Sequence, residues 1–343
     1  MHTPLRAGVI GVGSMGRNHA RVYASMEGVE LAAVSDTDPA TATHIGAMYR
    51  CQAYTNYREM LEEERLDLVS IVVPTKHHFE VAREVIDHGV SLLIEKPIAA
   101  TVMDGEALVE AARRKGVLLT VGHIERFNPA IIALKQQLDK HELGQIFQIS
   151  ARRVGPFPAR IMDVGVAIDL ATHEMDILNY LLGSKISRMH VELHRHLHRS
   201  HEDLLSAVLR FENGVIGILD INWLTPTKIR ELSIIGERGM FVANYLTQDL
   251  TFFENDECVG KHWPALATMG VSEGRMIRQK VQRREPLFEE LRAFCEAVRY
   301  SHPPVVSGED GIAALAMAHE IVRSGTISQK EANMIALTVG AAA

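Results

Sequence analysis

Cysteine is scarce. The chain has three in 343 residues, at Cys51, Cys258 and Cys295, far apart and with no C-x-x-C pair. That excludes a disulfide framework and points to a reducing compartment. A basic excess is missing too. The net charge is −7, so nothing marks a nucleic-acid partner or a membrane surface. No apolar run is long enough to span a bilayer. The first one, Leu5 to Ile10, is too short for a secretory signal and leads straight into a glycine turn. The expectation is a cytoplasmic protein. Internal repeats and low-complexity tracts are also absent. The remaining composition, 47% hydrophobic and 23% charged, is that of an ordinary soluble protein, and the length favours two domains.

What is present begins with Leu5 to Ile10, which reads as a buried strand. Gly11, Gly13 and Gly16 follow with the G-x-G-x-x-G spacing, enclosing Val12, Ser14 and Met15, and a helix begins at Arg17. Each glycine has a physical role: a tight turn, close approach to a pyrophosphate, and close helix–strand packing. The free N–H groups and positive dipole end at the helix start suit two phosphates. A second strand, Glu30 to Ser35, ends at Asp36, about 20 residues past the last glycine. An acid there binds the adenosine ribose hydroxyls. It also argues for NAD over NADP: a 2′-phosphate would be repelled, and Thr37 and Asp38 follow rather than an arginine.

The first half alternates strand and helix. Leu68 to Val73, Ser91 to Ile94 and Val117 to Val121 read as strands. Asp38, Asn56 and Thr101 read as helix N-caps, and Gly89 and Gly116 as C-caps. A doubly wound parallel sheet is expected over 1–122. In such sheets ligands bind beyond the carboxyl ends of the strands, where the glycine turn, Asp36, Pro74 to His78 and Glu95-Lys96-Pro97 all fall.

The second half, 123–343, reads as an α+β domain with a large open, mainly antiparallel sheet. Asn128 caps a helix from Pro129, and Gln145 to Arg153 alternates into a strand. Arg152, Arg153 and Arg160 gather around Gly155-Pro-Phe-Pro158. They read either as a solvated basic loop or, for Arg153 and Arg160, as partners of an anionic substrate group such as a diphosphate. Asp163 to Leu182 is helical. Asp169 and His173, four apart, share a face, which Asp176 joins or caps. Strands follow from Leu204 to Phe253, with an Asn213-Gly214 hairpin turn. One face of this sheet is left for another subunit, so a homo-oligomer is expected. His194, His196 and His198 could converge on a metal if they lay on one strand. Arg195 and Arg199 stand among them without a cysteine or acid cluster nearby, so no metal is expected. Residues 263–282 read as a loop. Helices are expected over Pro286 to Tyr300, Ile312 to Ser324, and again from Ile327.

Together Gly-Val-Gly-Ser-Met-Gly, Pro74-Thr-Lys-His-His78, Glu95-Lys96-Pro97 and Asp169-Leu-Ala-Thr-His173 resemble the Gfo/Idh/MocA family of NAD(P)-dependent oxidoreductases over nearly the whole chain. Ala171 stands where that family usually has glycine. The resemblance implies a Rossmann domain and oxidation of a secondary alcohol. It places Lys96, Asp169 and His173 at the reaction, with His173 as base oriented by Asp169 and Lys96 at the alkoxide, or Lys96 itself as base. It implies cofactor contacts at Gly11, Gly13, Ser14, Met15, Gly16, Asp36, Pro74, Thr75, His78, Glu95, Lys96 and Arg126, and commonly a cis peptide at Pro97. Substrate contacts fall to Lys96, Arg153, Arg160, Asp169 and His173. The Gly122-His-Ile-Glu-Arg-Phe-Asn-Pro129 stretch and the helix written Asp163-Val-Gly-Val-Ala-Ile-Asp-Leu-Ala-Thr-His173 are similar to the branch acting on UDP-linked amino sugars. That implies oxidation at C3 of UDP-N-acetylglucosamine, followed by a PLP-dependent aminotransferase on the way to a diamino sugar of lipid A. Inositol or free-sugar oxidation, an NAD-dependent glycosidase, and a non-catalytic NAD-binding regulator are the alternatives.

Overall fold

The structure is a computed structural model that describes residues 3–158, 164–256 and 273–340, with side chains of the last helix described through residue 325. It divides into two compact units: residues up to Phe127 together with Arg284–Ala316, and Asn128–Arg283 together with the chain from Met317.

The first unit is built from β1 (Leu5–Ile10), α1 (Gly16–Ser25), β2 (Val29–Ser35), α2 (Pro39–Tyr49), β3 (Gln52–Tyr54), α3 (Tyr57–Glu63), β4 (Leu68–Ile71), α4 (His78–Asp87), β5 (Ser91–Glu95), α5 (Val102–Lys115) and β6 (Leu119–Gly122). The expected caps are present. Asp38 accepts from Ala40 and Thr41, Asn56 from Arg58, Thr101 from Asp104, and Gly116 takes the left-handed conformation. The strands form one parallel sheet in the order β3-β2-β1-β4-β5-β6. The order reverses between β1 and β4, which opens a crevice at their carboxyl ends.

In the second unit come α6 (Pro129–Asp139), β7 (Ile146–Val154), α7 (Thr172–Leu182), β8 (Ile186–His194), β9 (Leu204–Phe211), β10 (Ile216–Asn222), β11 (Ile229–Gly236), β12 (Gly239–Asn244), β13 (Asp249–Asn255) and β14 (Glu273–Arg278). Their sheet runs β14-β13-β12-β11-β7-β10-β9-β8, antiparallel except for the β7–β10 pair. Alternation sets its faces. Leu205, Ala207, Leu209 and Phe211 of β9 point into a core closed by α6 and α7, while Val208 stays 50% exposed on the other face.

The domain boundary differs from the expected 122/123 break. The chain returns to the first unit through α8 (Pro286–Tyr300) and the start of α9 (Gly308–Gly340). The reason is packing. Leu287, Leu291, Phe294 and Cys295 of α8 complete the core over Ala7, Val9, Tyr23 and Val34. Burial of Cys295 pushes its thiol up to about 12. The expected break near Ser324 is also absent. Gly325 lies within α9, and a Cβ there would fall 2.5 Å from Leu193 Cγ, so its bare backbone lets helix and strand meet closely. Residues 273–278, expected in a loop, form strand β14.

Candidate active site

The glycine turn behaves as its spacing requires. Gly11 has φ +85°, and a Cβ there would lie 2.7 Å from the Val72 carbonyl. A Cβ on Gly16 would fall 1.8 Å from the Gly11 carbonyl oxygen, so only glycine lets α1 sit this close to β1. At Gly13 a Cβ would meet nothing within 4 Å. That is the open position, where a pyrophosphate can approach backbone. Ser14 is exposed and Met15 is the N-cap of α1, with no side-chain cap bond and no acid in the first turn. Those helix-end N–H groups are suited to an anion.

Beside the turn lies a cleft of about 560 Å³, lined among others by Gly11, Gly13, Asp36, Thr55, Tyr57, Pro74 and His77. Asp36 is held in place from two sides. One carboxylate oxygen accepts from Val12 N at 2.9 Å and the other from Asp38 N at 3.0 Å. These residues fit NAD, with an open glycine for the pyrophosphate and an anchored acid for the ribose. Thr55 and Tyr57 were not singled out by sequence, whereas His77 lies in the Pro74 to His78 stretch expected there. Thr75 opens the short 3-10 turn after Pro74.

Glu95 ends β5, and the next peptide, Lys96–Pro97, is cis as the resemblance implied. Two expected cofactor contacts turn out to be buried in the fold. His78 is 1% exposed; its Nδ1 lies 2.8 Å from Pro97 O and its Nε2 2.9 Å from Val73 O. Burial lowers its pKa. Arg126 is 5% exposed and pairs with Asp310 at 3.1 Å. Burial pushes the Asp310 carboxyl up, but Arg126 and Ser307 outweigh it and hold it low. Both side chains therefore help to hold the loops around the site.

Asp169 and His173 lie in the second unit. The expected helix holds a π turn over Ala167–Ala171 before α7 begins at Thr172. Such turns change the angular spacing of neighbouring side chains and recur at functional sites. The Thr172 hydroxyl donates to Ile168 O at 2.7 Å, and Ala171 is fully buried. The start of this helix is fixed from a distance. Glu202 accepts Ala167 N–H through Oε1 at 3.1 Å, and its backbone carbonyl accepts Val166 N–H at 3.1 Å. Gly165 makes room for it, because a Cβ there would lie 2.1 Å from Glu202 Oε1. Gly165→Ala is expected to expel that carboxylate. The lost cap is expected to cost about 1 kcal/mol in thermal unfolding.

Arg153 lies in β7, the strand expected there, and is 2% exposed in an ion pair with Glu174 of α7. Tyr245 donates to the other Glu174 oxygen at 3.2 Å. Arg152 is exposed and pairs with Asp220 at 3.0 Å. Arg160 lies outside the described residues. The histidine run is also explained structurally. β8 ends at His194, so the three rings do not line one strand face. Asp203, fully buried, gathers the N–H groups of His196, Leu197 and His198, and His198 Nδ1 accepts from Ser200 and His201.

Residues 5–123 match the Gfo/Idh/MocA oxidoreductase family, NAD-binding Rossmann fold, and residues 131–242 match the Gfo/Idh/MocA C-terminal domain. The chain is 30% identical over 318 residues to UDP-N-acetylglucosamine 3-dehydrogenase of Acidithiobacillus ferrooxidans, spanning 92% of this chain and 96% of the relative. It is 23% identical to myo-inositol 2-dehydrogenase of Thermotoga maritima, over 93% and 96% of the two chains. The crystal structure of UDP-N-acetylglucosamine 3-dehydrogenase GnnA from Acidithiobacillus ferrooxidans superposes with a TM-score of 0.84 at 28% identity, covering 94% of this chain and 98% of that one. The glycine turn, the anchored Asp36 and these full-length similarities agree: the chain belongs to the Gfo/Idh/MocA family of NAD-binding oxidoreductases.

Proposed function

We propose that this protein oxidises the C3 hydroxyl of UDP-N-acetylglucosamine to a 3-keto sugar nucleotide. The observation that carries the reading is the 30% identity, over 92% of the chain, to an enzyme of that name. It is supported by Lys96, Asp169 and His173 standing together in one sequence with the glycine turn and Asp36.

The reaction moves one hydride and one proton. The C3–H bond breaks with its electron pair leaving as hydride, the hydroxyl proton passes to a base, and C=O forms. NAD, when bound, supplies the hydride acceptor. His173 takes the proton, since an imidazole's ordinary pKa lies near working pH. Asp169 orients that ring and offsets the imidazolium charge. Lys96 donates to the oxygen as negative charge builds there. Arg160 meets the diphosphate. A ketone at C3 is what a PLP-dependent aminotransferase consumes, so we place the step before an amination leading to a diamino sugar of lipid A, in the cytoplasm. Among the described residues, no helix is long and apolar enough to cross a membrane. The open sheet face carrying Val208, Ile235 and Met276 is read as the seat of a second copy. Sedimentation should then give a mass of at least twice the 38.1 kDa chain.

A second reading, inositol oxidation, draws on the similarity to myo-inositol 2-dehydrogenase. NADH formation from UDP-N-acetylglucosamine, myo-inositol, scyllo-inositol and a free sugar separates the two. The proposal expects kcat/KM for the UDP sugar to exceed the others by at least about 100-fold. Turnover of an inositol but not the UDP sugar overturns the substrate. Release of an aglycone without net NADH would make the protein a glycosidase.

A further inference from the structure

A buried histidine stands behind the Lys96 turn, and the cofactor chemistry does not use it. His19 lies on α1, three residues after Gly16, and is 0% exposed. Its Nε2 sits 3.1 Å from Glu95 Oε1, and Glu95 Oε2 accepts the backbone N–H of Lys96 at 3.2 Å. Burial pushes the Glu95 carboxyl up, but His19, the Lys96 charge and the Lys96 N–H outweigh it, so the group is held below its ordinary range. A carboxylate cannot donate, so His19 Nε2 carries the proton of this bond. His19 Nδ1 is buried with no partner. Gly122 makes room for Glu95, because a Cβ there would lie 3.0 Å from its Cδ.

We infer that His19 is a positioning residue for Lys96: through Glu95 it fixes the backbone that presents the lysine, and it ties that backbone to the helix whose first turn meets the pyrophosphate. The inference rests on the reading of Lys96 as the active lysine. Displacement of a reacting group by about 1 Å can cost about 100-fold in rate, which sets the scale of the effect.

The test uses the full-length protein and three substitutions. His19→Leu keeps the volume and removes the donor. His19→Gln places an amide N–H near the position of Nε2. Lys96→Met removes the amine. Three readouts are taken: NADH affinity by fluorescence, turnover, and the pH dependence of Lys96 acetylation by labelled acetic anhydride, read by mass spectrometry of its peptide. The acetylation readout needs no substrate. His19→Leu is expected to bind NADH within about 3-fold of the parent, to lose about 10–100-fold in kcat, and to shift the Lys96 acetylation profile; His19→Gln restores most of both. If the leucine variant does not fold, His19→Asn replaces it, its shorter amide falling short of Glu95. An unchanged acetylation profile in a folded leucine or asparagine variant overturns the inference. So does a glutamine variant as impaired as the leucine one. Unchanged turnover in Lys96→Met overturns the reading of Lys96 instead, and the acetylation profiles still decide whether His19 sets its position.

Discussion

Replacing Arg153 with methionine is expected to cost about 3–5 kcal/mol of stability, the range for removing one partner of a buried ion pair. Glu174 is 1% exposed, and the substitution strands its carboxylate in the core without the counter-charge. Tyr245, whose ring centroid lies 5.6 Å from the guanidinium carbon, would lose its cation contact as well. Urea unfolding gives the measurement, read as a lower midpoint at unchanged slope. Arg153→Met combined with Glu174→Leu should recover most of the loss, since an apolar pair of similar volume needs no desolvation of charge. A single substitution costing under about 1 kcal/mol would contradict the burial on which this rests. The proposed role of His173 ties activity to the same pair. Glu174 follows His173 on the chain and docks α7 on β7, so the single variant should lose turnover even under conditions where it is fully folded.

Lys96→Met is expected to lower turnover by about 10²–10⁴-fold while NADH affinity stays within a few-fold. The cleft proposed for the cofactor is lined by the glycine turn, Asp36 and the Pro74 turn, none of which the substitution changes. His173→Asn should fall in the same range, because it keeps polarity but loses the proton acceptor. Steady-state rates together with NADH titration separate the two effects. Normal turnover in both variants would contradict this mechanism, because the dehydrogenase would then work without Lys96 and His173.

The parts of the fold that were legible in sequence are those specified by local chemistry. The G-x-G-x-x-G turn, the caps at Asp38, Asn56 and Thr101, and the left-handed Gly116 are decided by neighbouring residues, and each stands where it was expected. The parallel and antiparallel sheets follow from run length and alternation. What sequence did not show depends on distant partners. α8 reads as any amphipathic helix until the sheet face that needs its Leu291 and Phe294 is present. Gly325 looks like a helix end until Leu193 is placed against it. The partners of Arg126, Arg153 and His78 within the fold were not legible either, because nothing local reveals Asp310, Glu174 or the Pro97 carbonyl. The same limit hid His19 and Glu202. The only local sign of His19 is its place on the buried face of α1, three residues past Gly16.

Hydride transfer itself gives the most direct test of the proposed reaction. UDP-N-acetylglucosamine carrying deuterium at C3 is incubated with the protein and NAD, a trap consumes the keto sugar, and the reduced nicotinamide is examined by mass spectrometry. The proposed reaction predicts deuterium on the reduced cofactor, which would establish reaction, cofactor and carbon in one experiment. No transfer from a preparation shown to bind NAD would contradict the assignment to UDP-N-acetylglucosamine and turn attention to inositols and free sugars.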